Sequence, residues 1–548
     1  MLRRRDLPLC STPPTPTYAM IENRKLRAPA RHGEALFDPP LDAAAELVEQ
    51  NISRAHNATV EIAGRRLTDL AAEARRLLVR DAHQYTTTYR NAPALSYLAE
   101  DRLLLAGHQP QLFHPGVWFK NFALSALGRR LDAVAVNLVI DNDAAGPPAL
   151  RVPAGSVQEP RLESIPFDKP GSVVPYEERS VLDRETFRQF ASHVKETLTP
   201  FVPNPLVTRL WPYALEALDR TNNLGQSLSQ ARHRLEADLD LQTLELPLSH
   251  VCRTPVFAHF VAALLQDLPR FIEIHNQALY EYRRTHRLRS RTHPVPSLAL
   301  EDEWCEAPFW VWSREDPTRR RLFVRRPNPH EVELSDRQHW SLRLPLRKTG
   351  NVTDAVSSLL RLHDAGVRLR PRALMTTLYA RLFLGDLFLH GIGGAKYDEL
   401  TDALIRRYFE LTPPTFYAVT ATVLLPVERP GVTIDDLRRV EQQLRELRYH
   451  PEQYVSYSPE AAPYIEAKRR WLATEPPRGA RRERHLGIEQ ANAALQPFVE
   501  PLRRQLEQER EALQRALQKE RLLASREFSF CLFPEGFLPP LFERLLEK

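Results

Sequence analysis

The sequence predicts an α/β protein: a doubly wound, largely parallel sheet, followed by an antiparallel coiled-coil hairpin. Three observations predict it. Residues 104–131, LLAGHQPQLFHPGVWFKNFALSALGRRL, read as a buried strand, a loop and an amphipathic helix. AVAVNLVIDND then supplies an apolar run suited to a buried parallel strand, which completes a βαβ unit. In the C-terminal third, two segments carry apolar residues at alternating three- and four-residue steps.

The elements follow in order. Residues 1–18 carry arginines but no apolar h-region, so they read as a disordered tail and not as a secretory signal. Residues 40–100 read as helical, with Asp42 and Asp69 as helix-start residues. After the βαβ unit, the proline-rich residues 145–180 read as an irregular insertion over the sheet edge. Residues 183–241 and 255–284 are helical in pattern. FWVWSRED and RRRLFVRR alternate like a hairpin around Asp316-Pro317. Residues 370–410 place a glycine cluster between two helical patterns, and FYAVTATVLLP is a further strand.

Thr433, with Asp436 three residues on, opens a helix bearing Leu437, Val440, Leu444 and Leu447. Pro501 opens a second, whose seam is Leu502, Leu506, Glu509, Leu513, Ala516, Glu520 and Leu523. Glu509 and Glu520 weaken that seam locally and can set its register or mark a break. Two ordinary amphipathic helices packed on a core are the competing reading. Uncovered seams predict a homodimer held by the coiled coil. The expected division is a tail over 1–18, a core over 19–425 with connecting segments inserted at about 180–300, a coiled-coil hairpin over 426–526, and a segment over 527–548 that returns to the core.

Composition narrows the function. The 75 basic residues are interleaved with 69 acidic ones, leaving a net charge of +6 and no concentrated basic stripe, so nucleic acid is not indicated. No apolar run approaches the roughly 18 residues needed to cross a bilayer, and no membrane partner is expected. The four cysteines, Cys10, Cys252, Cys305 and Cys531, form no CxxC pair, which suits a reducing cytoplasm.

The chemistry concentrates at three places. In the first, Gly107 lets the chain turn after the strand, and Gly116 lets the next helix begin. His108, Gln109 and His114 are expected to point into the cleft with Lys120 one helical turn on, all open to solvent. Imidazoles, an ammonium and helix N–H groups together suit an anion. Loop capping by the histidines is the alternative, and no third ligand supports a metal shared by His108 and His114. Trp118 and Phe119 are expected in the core.

In the second, Asp141, Asn142 and Asp143 end a strand, where carboxylates can orient a hydroxyl or amine or hold Mg²⁺ beside phosphates; a turn-forming Asx cluster is the alternative. In the third, HGIGGAKYDE holds His390, Gly391, Gly393, Gly394, Lys396 and Tyr397, in a chain with only 19 glycines. The Walker spacing is absent, yet a glycine turn before a helix can bind an anion; close packing is the alternative. HExxH, GxSxG and the kinase motifs are also absent.

These motifs, in this order, resemble the bacillithiol biosynthesis cysteine-adding enzyme family. GHQPQLFHPGVWFKNFALSA is similar to its GQQ segment, LVIDND to its acidic strand end, FLHGIGGAKYDEL to its glycine turn, and FCLFPEGFLPPLFERL to its C-terminal LFP-x-G. The chain departs from the pattern at His108, His114 and Gly394, and at Thr376-Thr377, where the family has Arg-Pro. His114-Pro115-Gly116-Val117 looks like half of the HxGH signature of nucleotidylyltransferases.

The resemblance implies a Rossmann-like, nucleotidylyltransferase-type core, a helical connecting domain and a dimerising coiled coil. It implies a carbon–nitrogen ligase that adds cysteine to an amino-sugar-type acceptor with an ATP/ADP-type nucleotide bound. His114 and Lys120 would stabilise phosphoryl charge, and Asp141 and Asp143 would orient the substrate. Gly107, His108, Gln109, Gly116, Asn142 and the glycine-turn residues would bind substrate or nucleotide. A different acceptor, or a nucleotide- or anion-binding homodimer without turnover, is the alternative.

Overall fold

The computed structural model describes residues 26–93, 102–290, 292–455, 458–473, 475 and 481–547; the expected tail over 1–18 lies outside the described residues. The central sheet has six strands: β1 (Glu34–Asp38), β2 (Arg102–His108), β3 (Ala133–Val139), β4 (Leu244–Pro247), β5 (Leu387–His390) and β6 (Tyr417–Thr422). Their order is β1-β6-β5-β2-β3-β4. Strands β2 to β6 run parallel, and β1 closes one edge antiparallel to β6, with Leu36 opposite Thr420. From β2 the chain builds outward to β3 and β4, then returns to lay β5 and β6 on the other side. The order reverses between β2 and β5.

Burial explains these strands. Leu103, Leu104, Leu105 and Ala106 are all 0% exposed. Leu103 and Leu105 face one core, and Leu104 and Ala106 face another. Such a run suits a parallel strand covered on both faces. Helix α1 (Pro115–Arg130) covers one face, with Trp118 and Phe119 in its core. After the helical stretch 184–238, which ends in α2 (Leu224–Asp238), the chain enters β4. Helix α3 (Ile392–Tyr408) covers the opposite face through Leu400 and Leu404.

A second, antiparallel sheet packs on the α3 side. Trp304–Ser313, Arg320–Asn328, Glu331–Ser335 and Ser341–Pro345 form a meander, and Val367–Pro371 pairs with the first of these strands. The hairpin around Asp316-Pro317 is its opening pair. Residues 145–180 differ from expectation, because Ala149–Gly155 and Pro160–Pro166 make a full hairpin. Its prolines are tolerated because a two-stranded sheet consists only of edges. Two helix starts also shift. A 3-10 turn at Leu41–Ala43 precedes the helix Ala44–His56, and Asp69 lies in the first turn of Leu67–Thr87.

Near the C-terminus, α4 (Ile434–Tyr449) begins with the Thr433/Asp436 capping box and lies along α5 (Arg481–Leu523). The two are antiparallel: Gln496 Nε2 donates to Leu447 O, while Glu520 accepts from Arg429 and from Gly431 N–H at the other end. Val440, Leu447, Val499 and Leu506 form the buried seam. Among the described residues these seams cover each other within one chain, so they lend the homodimer expectation no support. Glu520 is tied through Arg429 to the segment that precedes α4. Pro501 does not begin a helix, because α5 passes through both Pro497 and Pro501. Each proline forfeits a backbone bond, but the buried Ala491, Leu495, Val499 and Leu506 hold the helix to its neighbours.

The chain end returns to α1. Phe530 N–H donates to Phe113 O at 2.9 Å, and the Phe542 ring lies 4.9–6.1 Å from those of Trp118, Phe119 and Phe122. Among the described residues no helix is long and apolar enough to cross a membrane.

Candidate functional site

Ligands of open α/β sheets bind outside the carboxyl ends of the strands, where the strand order reverses. Here that point lies between His108, which ends β2, and His390, which ends β5.

The residues after β2 largely hold structure. Lys120 is 1% exposed and its Nζ donates to Gly107 O at 2.6 Å. Burial, with the Arg232 charge adding to it, pulls its pKa down to about 7. His114 Nδ1 accepts from Gly116 N–H at 3.1 Å and so caps α1. Burial chiefly lowers its pKa, in keeping with a ring nitrogen that must stay unprotonated to accept. A Cβ at Gly116 would sit 2.3 Å from Ala421 O, so close contact with β6 requires glycine there. The His108 ring meets Phe113 edge-on, and burial followed by Lys120 lowers its pKa to about 3. The expected trio of solvent-facing cations is therefore overturned. His108 is neutral, His114 is a cap, and Lys120 is sealed beneath the strand end.

The acidic strand end is a joint. Asp141 accepts from Ser249 N–H at 2.9 Å and from Ser249 Oγ at 2.5 Å, tying β3 to the chain after β4. Asn142 Nδ2 donates to Pro371 O at 2.8 Å, tying β3 to the second sheet. Asp143 remains accessible, with its side chain 42% exposed; it accepts from Gln109 Nε2 at 3.0 Å and from Arg319 at 2.9 Å. Burial, then repulsion from Glu177, raises the Asp141 pKa to about 7, above its ordinary 3.8. Its contribution to stability is therefore complete below about pH 4 and is lost as pH rises through about 7. Asp141→Asn is expected to flatten this fall. Urea denaturation midpoints across about pH 5–8 check it: equal pH slopes in the two proteins would contradict the assignment.

The glycine turn divides into two parts. His390 Nε2 donates to Asp398 Oδ2 at 3.0 Å, and Arg381 donates to the same oxygen at 2.6 Å. Burial opposes ionisation of Asp398, but Arg381 and His390 outweigh it and hold its pKa below the usual carboxylate range. A Cβ at Gly394 would lie 2.6 Å from His390 Nδ1, so packing explains that glycine. Gly391 differs: its φ is negative and nothing lies within 4 Å of its would-be Cβ. It starts α3 with no side-chain cap, leaving first-turn N–H groups without intrahelical partners. The Lys396 side chain is exposed, while its carbonyl accepts from Tyr282 at 2.8 Å. Tyr397 meets the His293 ring edge-on at 6.4 Å.

A cleft of about 930 Å³ opens between the end of β3 and the second sheet. Gln109 and Asp143 line one side, and Trp310, Arg319 and Arg372 line the other. Arg372 lies 4.4 Å and Arg319 5.0 Å from the Trp310 ring centre. Arg372 pairs with the buried Glu306 at 2.7 Å, yet its Nε–H is buried without a hydrogen-bond partner. Burial lowers the Arg372 pKa, and Glu306 works against that. Val295, Leu298 and Met375 give the cleft an apolar floor. Sequence reasoning missed Trp310, Arg319 and Arg372. They come from a sheet far along the chain, and two arginines among 75 basic residues carry no local signal. No protein-family model matches the chain, and no curated protein matches it.

Proposed function

We propose that this protein is a nucleotide-dependent ligase with a Rossmann-like core, one that joins an amino acid to an amine-bearing acceptor of the amino-sugar type. The observation that carries it is that two recognition surfaces lie outside the carboxyl ends of the parallel strands. One is the uncapped start of α3 at Gly391, suited to phosphate. The other is the cleft, where Asp143 can accept from an ammonium while Arg372 faces a carboxylate, as an amino acid requires. The apolar floor takes its side chain. A bound nucleotide would supply the group that activates the carboxylate. The chain's own residues orient the amino acid and exclude water from it. Any Mg²⁺ would arrive with the phosphates of the nucleotide.

One observation favours a second reading, a binding protein without turnover: His114, Lys120 and Asp141 are all engaged by the protein itself. Nucleotide consumption by the full chain separates the two. Supplied with ATP, cysteine or other amino acids, and amino-sugar acceptors, the ligase releases ADP or AMP only when both substrates are present. Arg372→Met and Asp143→Asn should each reduce that rate about tenfold or more, the scale of a charged hydrogen bond. Nucleotide binding without consumption for any pair would leave the second reading standing.

A further inference from the structure

The opposite end of the sheet holds a second cavity, open to solvent and spanning about 800 Å³ with its mouth included, independent of the crevice. Asp386 marks its place: it precedes β5, and its Oδ2 accepts from Leu103 N–H at 2.8 Å, near the start of β2. The walls are the helices Ala44–His56 and Leu67–Thr87, the π-helical turn Ala380–Leu384, and residues 411–414. Such turns recur at functional sites. Much of the lining is apolar: Ile52, Ala55, Leu67, Ala71, Leu382 and Leu411.

Three guanidiniums reach this apolar space. Arg75 pairs with Asp386, and Arg381 with Asp398 and Asp402, but each keeps a buried Nε–H without a partner. Arg381 is 4% exposed. Among the described residues Arg54 donates only to neutral acceptors: Thr415 Oγ1 at 3.0 Å, and Asn51 Oδ1 and Pro413 O at 3.4 Å. The cavity thus carries one guanidinium without a carboxylate, two orphaned donors and room for an apolar body. Buried donors without partners are costly unless a ligand satisfies them.

We propose that this cavity is a second ligand site, for a small monocarboxylate with an aliphatic or aromatic body, held by its carboxylate on Arg54. Arg54, the one guanidinium of the three without a carboxylate partner among the described residues, is the group that suits a monoanion. Asp386 beside it disfavours a polyphosphate.

Calorimetry on the full chain tests this with octanoate and benzoate, and with octanol and inorganic phosphate as comparisons. The wild type is expected to bind at least one of the two carboxylates and neither comparison compound. Arg54→Met, which keeps the stem, should weaken binding about tenfold or more. Ala71→Phe, which fills the space, should abolish it, and Arg372→Met in the crevice should leave it unchanged. Three results would each overturn the proposal: no carboxylate binding by the wild type, octanol or phosphate binding as tightly, or unaltered affinity in Arg54→Met. Loss in Arg372→Met would also overturn it, by placing the acid in the crevice. Circular dichroism confirms that each variant is folded before it is scored.

Discussion

Replacing Lys120 by alanine is expected to destabilise the folded protein by about 2–4 kcal/mol, the range for truncating a long buried side chain. The side chain is 1% exposed, and its ammonium is the donor to Gly107 O. Alanine would leave a cavity beneath the end of β2 and deprive the Gly107 carbonyl of this donor. Lys120→Met keeps the stem and loses the donor, so about half that loss is expected. The two variants also differ from the wild type in pH response. Burial holds the Lys120 pKa at about 7, below its ordinary 10.5. The stability it contributes is therefore complete above about pH 10 and is lost as pH falls through about 7. Lys120→Met should lack that dependence. Urea denaturation with nucleotide titration decides the matter: unaltered stability with weakened nucleotide binding would make Lys120 a ligand group after all.

Lys120 also shows where sequence reasoning could have gone further. In PGVWFKNFALSALGRR it is the only charge before the closing arginines, and aromatic residues surround it. A helix apolar on every side is buried on every side, so its lone lysine needs an internal partner and has no route to solvent. The long parallel strands were legible for the same reason, since burial on both faces writes an unbroken apolar run. Strands β4 and β5 were not legible, because four residues are too few to show a period. The acidic strand end does lie at the carboxyl end of a strand, as its pattern suggested, whereas the glycine turn, read as lying between two helical patterns, follows β5. Their individual roles were hidden. Whether Asp141 meets a substrate or Ser249, and whether Gly394 meets a ligand or His390, depends on contacts formed across the fold. The cleft arginines were hidden more deeply still, because only the packing of the second sheet on β3 brings Arg319 and Arg372 to Asp143.

The charges beneath the crevice set the other large effect. Arg232→Met is expected to cost about 3–5 kcal/mol at neutral pH, as breaking a buried ion pair does. Arg232 Nη1 donates to Glu236 Oε1 at 2.7 Å, and its Nη2 donates to Glu245 Oε1. Glu236 also accepts from Trp118 and Asn121 of α1, each at 2.8 Å, and Glu245 accepts from Asn137 of β3 at 2.6 Å. One guanidinium thus joins α1, α2, β3 and β4 through two carboxylates that are 1% and 0% exposed. Burial already pushes the Glu245 pKa up, with Arg232 as the main opposing charge. Without Arg232, Glu245 loses that opposing charge and should take up a proton, so the variant's stability should fall steeply as pH rises past the raised Glu245 pKa. Replacing both acids by glutamine alongside Arg232→Met should recover much of the loss, because no buried charge then lacks a partner. Urea unfolding of the three proteins at about pH 6 and about pH 8 measures this. A single variant that unfolds at the wild-type denaturant concentration at both pH values would show that the network contributes no net stability, and that α1 is held in place by its aromatic packing alone.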